Sequence, residues 1–160
     1  MFVITIVSLS NLYGMVIFSN NLSVFQSIFF SNVILASILM HLSEKKHKLP
    51  GVFPFNKYSS LFLWYDRIMA QLATSYILYN LYSDYIHFNG SYSVGSFFSY
   101  LIGNNNLASK ILSRGLIGLF FLWISENVHS IGKYGFMVSH SLWHFFAFDI
   151  IMETVRYVNL

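Results

Sequence analysis

Long apolar runs that contain almost no charge dominate this chain, and they leave few folds open to it. Six such runs occur, at about residues 2–19, 23–42, 60–82, 92–103, 107–126 and 134–157. Only 9 % of the 160 residues are charged, whereas soluble domains carry about 25 %. So few charged side chains cannot cover a soluble protein of this size. We therefore predict an integral membrane protein of the all-α class, a polytopic transmembrane helix bundle that forms a single domain over 1–160.

The number of crossings depends on the shortest run. The fourth run, 92–103, has about 12 residues, whereas a helix that crosses a bilayer needs about 20. It ends at Gly103-Asn104-Asn105-Asn106, whose composition predicts a helix break. The first run lacks a basic segment before it, which favours a membrane helix over a cleaved signal peptide. Five to seven crossings are therefore expected.

Basic residues cluster at one loop. Five of the nine Lys and Arg lie in or beside the loop that joins the second and third runs, namely Lys45, Lys46, Lys48, Lys57 and Arg67. By the positive-inside rule this loop, 43–60, and the N-terminus face the cytoplasm. We expect a multi-pass protein of an endomembrane (ER or Golgi) or the plasma membrane. A cluster at one loop is not a nucleic-acid footprint, so nucleic acid is not expected as a partner.

The informative polar residues of a membrane chain are the ionisable ones inside apolar runs. His140 and His144 are four residues apart in the last run. On a helix they share one face, about 6 Å apart along the axis, where two imidazoles can ligate one metal ion. Hydrogen bonding between helices is the alternative. Because the chain has no cysteine, Cys-ligated zinc and iron–sulfur sites are excluded.

Two further elements lie near the basic loop. Ser37 and His41 have the same spacing at the end of the second run, and Asp66 stands near the start of the third. Each has a structural explanation when taken alone. A histidine at a membrane interface is unremarkable, and the helix dipole favours an aspartate near a helix N-terminus.

Together these residues form a recognisable pattern. Ser-x-x-x-His at the end of the second helix, Asp early in the third and His-x-x-x-His in the last resemble the CREST membrane hydrolase superfamily. That superfamily includes the alkaline ceramidases, the adiponectin/progestin receptors and the lipid-remodelling factors of GPI-anchored proteins. The stretch 142–145, Leu-Trp-His-Phe, and the stretch 118–123 followed by Glu126 and Asn127 also look like its last two helices.

The resemblance implies a set of roles. His41, His140 and His144 would be the three ligands of a Zn2+ ion, which leaves a fourth position for water. Asp66 would hold that water and accept its proton, and Ser37 would donate a hydrogen bond to the substrate carbonyl or oxyanion. The implied reaction is ceramidase-like hydrolysis of an amide or ester bond in a sphingolipid-like lipid that enters from the bilayer.

Two other interpretations stay open. The chain could be a CREST-like receptor or membrane factor without turnover, in which the same residues hold a structural metal. It could also be a small structural subunit of a membrane complex, with protein partner subunits on its aromatic-rich surface. The sequence alone does not distinguish a CREST-like receptor or membrane factor from an active enzyme, because the same residues would hold the metal in both.

Members of the superfamily cross the membrane seven times, whereas this chain has six apolar runs. For the last-helix histidines to meet His41 and Asp66, an odd number of crossings must separate the third helix from the last. Runs four and five would give two. Either run four does not cross, which we favour, or residues 83–126 form three short helices, or the grouping of these residues is wrong.

The remaining acidic residues receive structural explanations. Glu44 could accept a hydrogen bond from His41, but a solvated position in the basic loop is expected. Glu126 is expected at the membrane interface. Asp149 and Glu153 lie on the face of the last helix away from His140. Glu153 could pair with Arg156, and Asp149, which has no obvious partner in its own helix, could contact another helix, a partner subunit or water.

Overall fold

The computed structural model describes residues 2–18, 22–44, 49–89, 93–102 and 107–158. Within these ranges the chain is helical and contains no strand, which confirms the all-α class. The helices are α1 (Phe2–Ser10), α2 (Leu12–Phe18), α3 (Val24–Ser43), α4 (Ser59–Asn89), α5 (Val94–Ile102), α6 (Leu107–Asn127) and α7 (Gly132–Val158). Short 3-10 turns at Phe55–Tyr58 and His129–Ile131 precede α4 and α7. Lys45, Lys46, Lys48 and the break at 103–106 lie outside the described residues.

The first apolar run is two helices rather than one, because side chains compete for a backbone carbonyl at its centre. In a continuous helix the Asn11 N–H would donate to the carbonyl of Val7. That carbonyl instead accepts from Ser10 Oγ at 2.7 Å and from Asn11 Nδ2 at 3.2 Å. The Asn11 N–H donates to Ser8 O at 3.2 Å, which makes a tighter turn between α1 and α2.

Helix α4 extends seven residues beyond the third apolar run. Tyr85, which is buried, packs against Phe97 and Tyr100 of α5, with ring centroids 5.4 and 5.5 Å away. The Tyr100 hydroxyl also donates to Asp84. These contacts with α5 stabilise a segment whose composition alone is too polar to mark it as part of an apolar helix.

The order of the helices brings the two ends of the predicted site together. Helices α6 and α7 run antiparallel, since Ser125 contacts His140 whereas Arg114 contacts Asp149 near their opposite ends. Helix α5 has nine residues and is about 14 Å long. It packs at the Arg114 end, where Leu101 joins a cluster with Leu81, Ala108, Ile111 and Ile150. Among the helices described between α4 and α7, α6 alone is therefore placed to return the chain from the end of α4 to the start of α7.

Two described helices are long and apolar enough to cross a membrane, by length and composition: Val24–Ser43 and Ala108–Asn127. Both expose large apolar side chains, among them Phe25, Ile28, Leu119 and Phe120. Exposed apolar surface of this extent is typical of an interaction with lipid or with another protein.

The acidic residues of α7 pair with α6: Asp149 contacts another helix, which was one of the predicted alternatives, whereas the partner of Glu153 differs from the prediction. Arg114 of α6 donates to Asp149 Oδ2 at 2.8 Å and lies 3.6 Å from Glu153 Oε1. Asp149 therefore has a partner on the neighbouring helix, and Glu153 is paired with Arg114 rather than relying on Arg156. Sequence spacing could not show this, because the partner comes from a different helix.

Candidate metal centre

Three buried histidines converge between α3 and α7. His41 comes from the last turn of α3, and His140 and His144 come from successive turns of α7. Their exposed fractions are 1, 4 and 4 %. One ring nitrogen of each lies within 4.8 Å of those of the other two. The structure thus brings His41 to the His140/His144 pair, although 99 residues separate His41 from His140 in sequence.

A serine accepts the Nδ1 proton of each α7 histidine. The Ser10 hydroxyl donates its only proton to Val7 O, so its oxygen accepts from the His144 Nδ1–H at 2.7 Å. In the same way Ser125 donates to Leu122 O at 2.7 Å and accepts from the His140 Nδ1–H at 3.1 Å. These bonds place the proton of each ring on Nδ1 and make Nε2 the acceptor nitrogen of each ring.

A carboxylate does the same for the third ring. The His41 Nδ1–H donates to Glu44 Oε2 at 3.1 Å. Glu44 is 8 % exposed and follows His41 by less than one helical turn, at the C-cap of α3. The predicted solvated position of Glu44 is wrong, because the end of α3 is covered by neighbouring structure and the carboxylate is buried against the imidazole.

The facing nitrogens have the geometry of a metal site. His41 Nε2 lies 3.3 Å from His144 Nε2. With both protons on Nδ1, these two nitrogens have no hydrogen to share with each other, and a cation bound between them would accept the lone pair of each. Zinc–nitrogen bonds of 2.0–2.1 Å in a tetrahedron place two ligand nitrogens about 3.3 Å apart. The donor set of three neutral imidazoles, each held through Nδ1, therefore fits a metal such as zinc.

The two other predicted site residues lie beside this cluster. Ser37 is buried on α3, one turn before His41, and its Oγ lies 3.3 Å from His144 Nε2. Asp66 is in the second turn of α4 and lines the cavity beside the histidines. Among the described residues, Asp66 has no direct hydrogen bond to a histidine, but it interacts electrostatically with Glu44, Arg67 and Glu126.

Several residues of the site were not anticipated. Ser10, Asn11 and Ser125 are buried near the cluster, and the sequence offered no signal for them because serine and asparagine are common throughout the chain. Glu126, which was expected at the membrane interface, also lines the cavity, with its Oε1 3.8 Å from His140 Nδ1. A polar residue of α6 at the same height as His140 would have indicated that Glu126 belongs to the site. The sequence does not show this, because the register between α6 and α7 has to be known first.

A cavity of about 950 Å³ extends from the histidines into the bundle. Its polar end contains Asn11, Ser37, Asp66, His140 and His144. The rest of its wall comes mostly from α4, α6 and α7 and is mainly apolar, with Ile77, Leu81, Ile111, Leu116, Leu119 and Ile151 among its residues and with Arg67, Gln71 and Thr74 as further polar residues of α4. This size lies at the upper end of small-molecule sites, and a mainly apolar wall beside the histidines suits a ligand with a polar group and an apolar tail.

The cavity opens sideways between α4 and α6. Three of its lining side chains, Leu78, Leu116 and Leu119, are half exposed or more. Helix α4 packs mainly on α3, and α6 packs mainly on α7, so the two helices face each other across the cavity. An opening with an apolar rim admits an apolar ligand from its side.

No protein-family model, curated protein or solved structure matches this chain. The site is therefore characterised by its geometry, which is a buried group of three histidines that is able to hold a metal ion.

Proposed function

We propose that this chain is a zinc-dependent membrane hydrolase that cleaves an amide or ester bond in a lipid. The observation that carries the proposal is the three-histidine centre at the polar end of an apolar, laterally open cavity. A hydrolase of lipids needs a polar reaction centre and an apolar chain-binding space in continuity, and both are present here. The resemblance of the residue pattern to the CREST superfamily supports the same assignment.

The resemblance to the superfamily supplies a role for each residue, and the positions of the side chains support these roles. His41, His140 and His144 would hold the metal through Nε2. When bound, zinc supplies a Lewis acid that makes water acidic enough to act as a nucleophile near neutral pH. Asp66 accepts the proton of the attacking water and returns it to the leaving nitrogen or oxygen. Ser37 donates a hydrogen bond to the substrate carbonyl oxygen as negative charge develops on it.

We further propose that the chain crosses the bilayer five times. The crossing segments would be α1–α2 taken together, α3, α4, α6 and α7, while α5 lies at one membrane face because it is too short to span the hydrocarbon core of about 30 Å. The histidine centre then lies in the cytoplasmic half, and the opening between α4 and α6 faces the lipid.

Metal content and lipid turnover test the proposal together. The measurement is zinc per chain by mass spectrometry on detergent-purified protein, followed by hydrolysis of a short-chain ceramide and a monoacylglycerol. We expect about one zinc per chain and turnover in the wild type, and almost neither in the His140→Ala/His144→Ala variant. His87→Ala is the matched control, because His87 is exposed near the end of α4 and should leave both values unchanged.

The outcomes separate the remaining interpretations. Zinc that depends on His140 and His144 without turnover of any lipid tested would favour a non-catalytic, CREST-like membrane factor. No zinc in the wild type, with the double variant equally well folded, would overturn the hydrolase proposal and favour a structural subunit of a membrane complex.

A further inference from the structure

One buried polar atom of the cavity wall has no role in holding the histidines. Asn11 is fully buried at the break between α1 and α2. Its Nδ2 donates to Val7 O at 3.2 Å, which fixes the orientation of the side-chain amide. Its Oδ1 has no hydrogen-bond partner among the described residues. Buried carbonyl oxygens are almost always paired in native proteins, so an unpaired one requires an explanation.

The position of Asn11 points to a ligand. Asn11 lines the cavity together with Ser37, His140 and His144. The residue before it, Ser10, binds His144 Nδ1 at 2.7 Å, so the helix break is anchored to the histidine cluster. Interruptions of a helix by a tighter turn are common at functional sites, because they free backbone and side-chain groups for other contacts.

We propose that Asn11 Oδ1 accepts a hydrogen bond from the N–H of a secondary amide in the substrate, so that the site selects lipid amides over esters of the same shape. This inference rests on the proposed function and names its substrate class. The Asn11 oxygen is an acceptor only, and the substrate carbonyl oxygen is also an acceptor. The complementary group on an amide is therefore its N–H, which an ester lacks.

A site that offers a buried acceptor discriminates strongly, because the wrong ligand leaves that acceptor unpaired. A secondary amide should therefore bind at least about tenfold tighter than its ester. A tertiary amide keeps the polar carbonyl but lacks the N–H, so it should bind like the ester. This comparison separates recognition of the N–H from recognition of the carbonyl.

The test is equilibrium binding to the full chain as purified in detergent. The probes are N-butyl decanamide, butyl decanoate and N-butyl-N-methyl decanamide. Each is dialysed against the protein, and intact probe is counted by mass spectrometry, so any hydrolysis product is seen separately; partition into empty micelles is subtracted. In Asn11→Leu, which removes the acceptor at similar volume, the preference for the secondary amide should fall to about one. Asn80→Leu is the matched control, because Asn80 also donates Nδ2 to the carbonyl four residues before it, at 2.7 Å, and lies outside the cavity lining.

Three results would overturn the inference: equal binding of the secondary amide and the ester to the wild type, equal binding of the secondary and tertiary amides, or a preference that survives in Asn11→Leu. The first two need no variant, so the test stands even if Asn11→Leu does not fold. Selective binding of the secondary amide without zinc or turnover would instead count against the proposed function and leave the recognition by Asn11 in place. Zinc-dependent turnover together with equal equilibrium binding of the secondary amide and the ester would do the reverse.

Discussion

The proton positions of three imidazoles decide what the buried cluster is able to bind. Each ring donates its Nδ1 proton to a different acceptor, which is Ser10, Glu44 or Ser125. The acceptors come from α1, from the end of α3 and from α6, so three segments orient the ligands. Partners of this kind fix the ring orientation and raise the basicity of the nitrogen that faces the metal.

Loss of one such acceptor should weaken metal binding without unfolding the protein. We expect Ser125→Ala to lower zinc affinity about 10–100-fold, because the His140 ring then lacks the group that holds its Nδ1 proton. The measurement is zinc retained against a competing chelator.

Ser139→Ala is the control for Ser125→Ala. Ser139 is equally buried, but its hydroxyl bonds the backbone carbonyl of Gly135 rather than a histidine. Equal zinc loss in the two serine variants would contradict the role given to Ser125.

Two carboxylates line the cavity, and we expect only one of them to accept the proton of the attacking water. Asp66 on α4 and Glu126 on α6 both line the polar end. If Asp66 accepts the proton of water, Asp66→Asn should lower kcat about 100-fold or more and leave the zinc content unchanged. Glu126→Gln should keep most of the activity. The reverse order in measured kcat would assign the proton transfer to Glu126.

The contact between α6 and α7 depends on glycine. A Cβ atom at Gly118 would lie 3.0 Å from Phe146 Cβ and 3.2 Å from Trp143 Cε3, so the two helices approach closely only because this side chain is absent. One turn earlier, a Cβ atom at Gly115 would lie 3.7 Å from Ile150 Cδ1, which is an ordinary van der Waals distance. This close approach lies between the contacts of Arg114 with Asp149 and of Ser125 with His140.

These two glycines should therefore respond differently to the same substitution. We expect Gly118→Ala to destabilise the protein by about 1–2 kcal/mol through overpacking. Gly115→Ala should be neutral or stabilising by about 0.5 kcal/mol, because alanine favours the helix. Thermal unfolding in detergent measures both effects. A Tm for Gly118→Ala at or above that of Gly115→Ala would show that the interface relaxes freely.

The three histidines lie at one end of the helix bundle, and α5 lies at the other end. The start of α1, the end of α3 and the start of α7 meet at the histidine end, where Val3, Ile4, Val7, Leu49 and Phe136 form one cluster. The end of α4 and the start of α6 meet α5 at the far end. One helix, α6, therefore runs from the far end back to the histidine end between α4 and α7. An odd number of such helices is needed to bring His140 and His144 close to His41.

The absence of cysteine makes this arrangement directly testable. Tyr58, Ser96 and Ser130 are exposed, so a single cysteine introduced at any of them can react with a membrane-impermeant maleimide. We expect Tyr58→Cys and Ser130→Cys to be labelled from the cytoplasmic side of sealed membranes and Ser96→Cys from the opposite side. Labelling of all three from one side would contradict the five-crossing proposal.

The sequence by itself determined the helical class and the candidate residues. Apolar runs fix where helices lie, because backbone groups in an apolar setting must bond within their own segment. Spacing of four residues places His140 with His144 and Ser37 with His41, because local helix geometry requires it. Both inferences depend only on near neighbours in the chain.

The tertiary structure alone decided what surrounds those residues. Contacts with α5 extend α4 past its apolar segment, whereas the break at Ser10 is local, because Val7 O accepts from side chains three and four residues later in the chain. The burial of Glu44, the pairing of Asp149 with Arg114 and the unpaired oxygen of Asn11 depend on which helices pack together. Arg114 and Asp149 are 35 positions apart in sequence, so their contact forms only when α6 and α7 are packed in this register.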